Sequence, residues 1–223
     1  MEVVTLSVAK CPDIDAYLAV PKAPTTAGIV VLQEIFGVNA HIQDLVRRYA
    51  EAGYMAIAPA IFDVETQGVV LEYDADGMQR GRDLATAVGF ERALQVIQAA
   101  RDALHERGID AVGTVGFCWG GSWSYLANTR LGMPGVSYYG ARSMPFMDEK
   151  LRAPMQFHFG EKDASIPASD IETTRRAHPE AEVYVYPDAG HAFNRDVDPS
   201  HYHAASAQLA NERTLRFFRE SLI

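Results

Sequence analysis

The sequence predicts an α/β fold: a mostly parallel sheet with helices on both faces. Three observations carry the prediction. Short apolar, β-branched runs recur at 27–33, 54–59, 111–117, 135–140, 154–160 and 181–187. Segments with helical apolar spacing alternate with them, which is the pattern of parallel strands joined by crossover helices. The length, 223 residues, suits one sizeable domain over 1–223 and does not require two.

Each element has a local reason. "AGIVVLQ" (27–33) is the continuous apolar run of a strand buried on both faces. In "NAHIQDLVRRYAEAG", Ile42, Leu45, Val46, Tyr49 and Ala50 fall at helical spacing, Asn39 can cap the start and Gly53 can end it. "YMAIAP" (54–59) reads as a strand closed by Pro59. Residues 60–77 lack periodicity and read as an excursion over the surface. A long helix is predicted over 78–106, with Phe90, Ala93, Ile97, Ala100 and Leu104 on one face. "AVGTVGF" (111–117) is a strand that leads directly into "CWGGSWSYLANTR", which continues as a helix. "GVSYYG", "PMQFHFG" and "AEVYVYP" are later strands, with a helix over 167–177 between the last two and a closing helix over 203–222. No repeat or low-complexity tract interrupts the series.

Composition narrows the function. The formal net charge of −9, with no basic stripe, argues against a nucleic-acid binder. No apolar stretch approaches membrane-spanning length, and the first residues carry acids and a proline where a signal peptide needs an apolar run. Two cysteines outside any C-x-x-C pair make neither a disulfide framework nor a zinc site. A reducing, cytoplasmic setting is the expectation, and a free thiol persists there.

One thiol stands in a reactive context. Cys118 lies in Gly116-Phe117-Cys118-Trp119-Gly120-Gly121, after a strand and before a helix. That is the setting of the G-x-S-x-G nucleophile elbow with Cys in place of Ser. The turn is too sharp for a Cβ at the flanking glycines, and the helix N-terminus favours a thiolate and an oxyanion. Cys11, beside Pro12, has none of these features and reads as structural. Partners should follow in the order acid, then base, each just past a strand. Asp163 follows the 154–160 strand and His191 follows the 181–187 strand. Asp163 would fix the tautomer of the imidazole. Asp188 is the competing acid, but Asp before Ala-Gly suits a tight turn. His158 reads as packed within its strand, His105 and His178 as surface cations near helix ends, and His201 and His203 as a solvated helix start. The loop after the 27–33 strand should supply an oxyanion donor. The backbone N–H of Ile35 is the candidate, paired with that of Trp119. Glu34 beside it is either a solvent-facing strand end or a proton acceptor for a neutral thiol.

These segments closely resemble the dienelactone hydrolases (carboxymethylenebutenolidases) of the α/β-hydrolase fold. "QEIFGVN" (33–39), "GFCWGG" (116–121), "SYYG" (137–140), "HFGEKDASIP" (158–167) and "GHAFNR" (190–195) carry the resemblance over nearly the whole chain. It implies a cysteine hydrolase with Cys118 as nucleophile, His191 as base, Asp163 as orienter and Glu34 assisting ionisation of the thiol. It also implies substrate contacts from Phe36 and Tyr138 and a carboxylate grip by arginines. Arg195 matches one of these in position, and Arg80 and Arg82 are both candidates for the other. Ala192 replaces the serine that follows the histidine in the family prototypes, and "PAIFD" (59–63) replaces a proline–aspartate start to that loop. Both changes touch the expected pocket rim.

The expected activity is opening of a carboxylate-bearing lactone or enol ester through a thioester, with no metal or organic cofactor implied. The rivals are a broad carboxylesterase or thioesterase using the same residues, and a non-catalytic binder or thiol sensor. A monomer acting on a small-molecule lactone or ester, with no nucleic-acid or membrane partner, is expected.

Overall fold

The computed structural model describes residues 1–223. The chain forms two compact units, Met1–Thr114 and Val115–Ile223.

The first unit holds β1 (Glu2–Leu6), β2 (Ile14–Ala19), β3 (Ala27–Leu32) and β4 (Met55–Pro59), in the spatial order β1-β2-β4-β3. β3 and β4 are parallel, with Gly28 opposite Met55. β3 is buried at every position, which is why its apolar run is continuous. The sequence reading has no strand before residue 27, yet β1 and β2 pair antiparallel there and β2 pairs antiparallel with β4. Their signal is weak for a physical reason. β1 is largely exposed, and β2 buries only alternate positions over its first half, with Asp15 facing out between Ile14 and Ala16.

Helix α1 (Ala40–Glu51) starts where Asn39 Oδ1 accepts from the Ile42 N–H at 3.2 Å. It buries Ile42, Leu45, Val46, Tyr49 and Ala50, and Gly53 follows at φ 101°. The 60–77 segment is not wholly a surface excursion. Ile61–Val64 forms a 3-10 turn whose four side chains are buried. Asp63 is tolerated inside because its carboxylate accepts from the backbone N–H groups of Asp15 (3.0 Å) and Gly68 (2.9 Å). Helix α2 (Ala75–His105) starts three residues before its expected position, with Asp74 accepting from the Gly77 N–H at 2.7 Å. It is two segments, since Gly89 breaks the helical backbone at φ 68°, ψ −176°. Ala93, Ile97, Ala100 and Leu104 are buried, while Phe90, the first residue after the break, is only half-buried.

β5 (Ala111–Phe117) spans the boundary between the units. The second unit continues with α3 (Trp119–Leu131), β6 (Gly135–Tyr138), β7 (Met155–Gly160), α4 (Ala168–Ala177), β8 (Glu182–Tyr186) and α5 (Ala204–Leu222). Its strands run in the order β5-β6-β7-β8, with β6/β7 and β7/β8 parallel. Trp123, Tyr125, Phe157, Phe193 and Phe218 are fully buried among its largest core side chains.

Two histidines belong to this core. His158 Nδ1 lies 2.7 Å from the Tyr186 hydroxyl and Nε2 lies 2.7 Å from Gln156 Oε1. The Gln carbonyl can only accept, so Nε2 carries the proton and Nδ1 accepts from Tyr186. Burial, helped by Arg213, holds the ring neutral by lowering its pKa well below the ordinary value. His178 overturns its expected place as a surface cation. It is 2 % exposed, meets the Tyr125 hydroxyl at 3.0 Å and has its pKa lowered by burial. None of the helices is long and apolar enough to cross a membrane.

Candidate active site

The site in the second unit is built on a turn. β5 ends at Phe117, Cys118 takes φ 55° and ψ −117°, and α3 begins at Trp119. A Cβ on Gly116 would sit 1.9 Å from the Gly120 carbonyl oxygen, so only glycine fits there. The Cys118 N–H donates to the Tyr138 carbonyl at 3.0 Å, and the Gly121 N–H donates to the Cys118 carbonyl at 3.0 Å. The backbone of Cys118 is thus held on both sides, and its half-buried side chain projects from a helix N-terminus. The Trp119 ring lies under the Arg142 guanidinium, 5.3 Å from its centre.

Two further loops meet this turn. After β7, Asp163 is held by its N–H to the Gly160 carbonyl (3.3 Å) and by the Ser165 N–H to its Oδ1 (2.8 Å). After β8, a turn through Asp188, at φ 63°, carries His191. The loops are in close contact: the Lys162 N–H donates to the Ala189 carbonyl at 2.8 Å, and a Cβ on Gly160 would meet that same oxygen at 2.5 Å. Asp188 is spent on an exposed pair with Lys162 at 2.6 Å. Asp163 is the acid that reaches the imidazole.

The three side chains form one line. His191 Nδ1 is 2.7 Å from Asp163 Oδ2, and His191 Nε2 is 3.2 Å from Cys118 Sγ. An ionised carboxylate can only accept, so the proton sits on Nδ1 and Nε2 is left to take one from the thiol. The Asp163 side chain is fully buried and has no other charged partner at that oxygen. Burial opposes the imidazolium. A thiolate at Cys118 and the bond to Asp163 outweigh it and raise the His191 pKa. The arrangement can therefore hold a thiolate–imidazolium pair. The Tyr139 ring packs at 5.1 Å against His191 and at 5.4 Å against Phe193, from a backbone at φ 41°. An open groove of about 470 Å³ runs beside His191, past Lys162, Ser165 and Tyr202.

The other expected site residues are distributed as follows. Arg195 is 5 % exposed, on the same segment as His191, with Nη1 at 3.1 Å from Asp198 Oδ2. Tyr138 is not placed as a substrate contact. It is 1 % exposed, its hydroxyl meets Thr214 Oγ1 at 2.7 Å, and its backbone carbonyl serves the turn at Cys118. In the first unit, Glu34, Ile35 and Phe36 follow β3 and are all buried, so Glu34 is not a solvent-facing strand end. Phe36 packs edge-on against Tyr73 at 4.7 Å. The Ile35 carbonyl lies where a Cβ on Gly81 would sit, at 2.0 Å, which brings this turn against α2. Arg80 and Arg82 flank that glycine and both are exposed. Sequence reasoning missed Tyr139 and Asp198. Tyr139 adjoins a residue it did name, and Asp198 stands three residues after Arg195, the spacing of an ion pair across one turn.

The Dienelactone hydrolase family model matches residues 14–222. The chain belongs to the dienelactone hydrolase family. It is 37% identical over 228 residues to a Yersinia pestis protein provisionally named a carboxymethylenebutenolidase, covering 93% of this chain and 84% of the relative. It is 33% identical over 205 residues to the carboxymethylenebutenolidase of Pseudomonas putida, covering 88% of this chain and 86% of that one. A crystal structure from Klebsiella pneumoniae subsp. pneumoniae MGH 78578, of a protein provisionally named a dienelactone hydrolase, superposes with a TM-score of 0.82 at 31% identity, covering 98% of both chains. As a dienelactone hydrolase family member, the protein has the α/β class of fold and is a carboxylic ester hydrolase.

Proposed function

We propose that the protein opens a carboxylate-bearing lactone or enol ester by cysteine catalysis through a thioester. The line Cys118 Sγ–His191 Nε2–Asp163 Oδ2, at 3.2 and 2.7 Å, is the observation that carries this reading. His191 takes the thiol proton, and the thiolate attacks the carbonyl carbon and forms a C–S bond. The resulting oxyanion is stabilised by the N–H groups of Trp119 and, from the loop after the 27–33 strand, Ile35. Each such donor typically contributes ~3 kcal/mol. Collapse breaks the C–O bond, and the enol oxygen leaves with the proton from His191. A water molecule, deprotonated by His191, then attacks the thioester, the C–S bond breaks and the thiol recovers its proton. Asp163 holds the ring in the required tautomer throughout. The family resemblance has Glu34 assist ionisation of the thiol when substrate binds and makes Arg195 the substrate carboxylate grip, with Arg80 or Arg82 beyond it. A buried guanidinium supports this part for Arg195, because its planar fork matches a carboxylate.

The test is turnover of a dienelactone beside a neutral aryl ester, with mass spectrometry of the quenched enzyme. Wild type should hydrolyse the dienelactone and show an acyl adduct on Cys118. Cys118→Ala should lose roughly ten-thousand-fold or more in kcat. Full activity in that variant would end the assignment.

A further inference from the structure

The proposed reaction uses Arg195 but not the acid beneath it. Arg195 Nη1 donates to Asp198 Oδ2 at 3.1 Å. The same carboxylate accepts from the Ser200 N–H (3.2 Å), the Ser200 hydroxyl (2.5 Å) and His201 Nδ1 (2.8 Å). The backbone is knotted around it as well. The Asp198 N–H donates to the Arg195 carbonyl at 3.1 Å, and the Asp198 carbonyl accepts from the N–H groups of His201 (3.1 Å) and Tyr202 (3.0 Å). Asp198 is therefore a fixed anion rather than a mobile surface acid. Its burial works against ionisation, but the bonds from Ser200, then His201, then Arg195 prevail and bring its pKa down to about 2.

A guanidinium buried to this degree requires an anion, because an unpaired charge inside the protein is strongly unfavourable. Asp198 meets that need at one Nη. The guanidinium is planar and rigid, so holding one nitrogen restricts the plane of the whole fork. A long side chain then gives up its rotamer freedom on folding instead of on binding.

We infer that Asp198 is a positioning residue for Arg195, presetting the guanidinium plane and so setting the affinity for carboxylate-bearing esters without touching the reacting atoms. The inference rests on Arg195 being the carboxylate grip of the proposed function. A remote carboxylate is held alike in the ground state and the transition state, so loss of Asp198 acts on KM rather than kcat.

Steady-state kinetics of Asp198→Asn, Asp198→Glu, His201→Ala and Arg195→Ala on a carboxylate-bearing dienelactone and on phenyl acetate test this. Asp198→Asn keeps the shape and removes the charge. It should raise KM for the dienelactone about tenfold, the effect of losing a charge-assisted bond, with kcat within about twofold and phenyl acetate kinetics unchanged. Asp198→Glu keeps the charge and should raise that KM by less, and it carries the test should the Asn variant fail to fold. His201→Ala removes one of the bonds that fix Asp198 but keeps its charge and its contact with Arg195, so it should raise that KM by less than Asp198→Asn does and leave phenyl acetate unchanged. Equal changes on both substrates, an unchanged dienelactone KM, or the same loss in His201→Ala would overturn the inference and make Asp198 a turn linchpin only. Failure of Arg195→Ala to separate the two substrates would instead remove the carboxylate reading, and the inference with it.

Discussion

The carbonyl of Tyr138 accepts a hydrogen bond from the N–H of Cys118 at 3.0 Å. The end of β6 thereby fixes the backbone of the turn that presents the thiol. The next residue, Tyr139, turns sharply at φ 41° and lays its ring against His191. One corner of the sheet thus steadies the thiol through its main chain and the imidazole through an aromatic face. Tyr139→Ala should lower kcat about tenfold or more, because a loosened base spends less time in line. Tyr139→Phe keeps the ring and should stay close to wild type. Equal rates for Ala and Phe, measured on any ester the enzyme turns over, would remove the ring from this role.

Cys118 itself sits in a backbone region that side chains rarely adopt. Cys118→Gly should therefore be more stable than Cys118→Ala by about 1–2 kcal/mol in urea unfolding, although the proposed mechanism expects neither to turn over. Equal midpoints would mean that the turn is unstrained.

Gly116 makes the opposite demand. Its missing Cβ leaves room for the backbone of Gly120, which has no flexible end to move aside. Gly116→Ala should destabilise by more than about 4 kcal/mol or fail to fold. A well-folded Ala variant with a near-native melting temperature would contradict the geometry of the turn.

The buried histidines set an acid limit on stability. An unfolded His binds its proton near pH 6.5. His158 and His178 hold folded pKa values below that, so below about pH 6.5 the unfolded chain binds more protons. Their contribution is complete above this pH and is lost as the pH falls. His191 runs the other way. Its folded pKa is raised to about 10, so its contribution is present below about 6.5 and fades as the pH rises toward 10. It does not soften the acid side. Melting temperatures taken between pH 6.5 and 5.5, where the His191 contribution is already complete, should fall in wild type, and fall less in His158→Gln. An identical fall in both would show that His158 titrates normally.

The parallel strands and the residues around Cys118 were legible because each carried two signals at once. β3 combines a continuous apolar run with burial on both faces, and the turn at Cys118 combines glycines with a strand before it and a helix after. Asp163 and His191 were found by position alone, as polar residues just past strands. The antiparallel β1 and β2 were not, since a half-exposed strand alternates with polar residues and looks like a loop. The 3-10 turn at Ile61–Val64 escaped because its buried acid is satisfied by backbone N–H groups, one of them on Asp15 in a strand far back in the chain. His178 looked like a helix-end cation, and only the fold brings Tyr125 to it. Tyr139 meets His191 only in the fold, and the Arg195–Asp198 spacing fits an ion pair without showing that Arg195 is buried.

The imidazole base, the buried guanidinium and its anchoring acid all lie on the one connection between β8 and α5. The thiol is carried elsewhere, on the rigid junction of β5 and α3. The groups proposed to choose a substrate thus sit just downstream of the base, on its own segment. Changes after His191 could alter the carboxylate grip while the imidazole stays in line with Cys118 and Asp163.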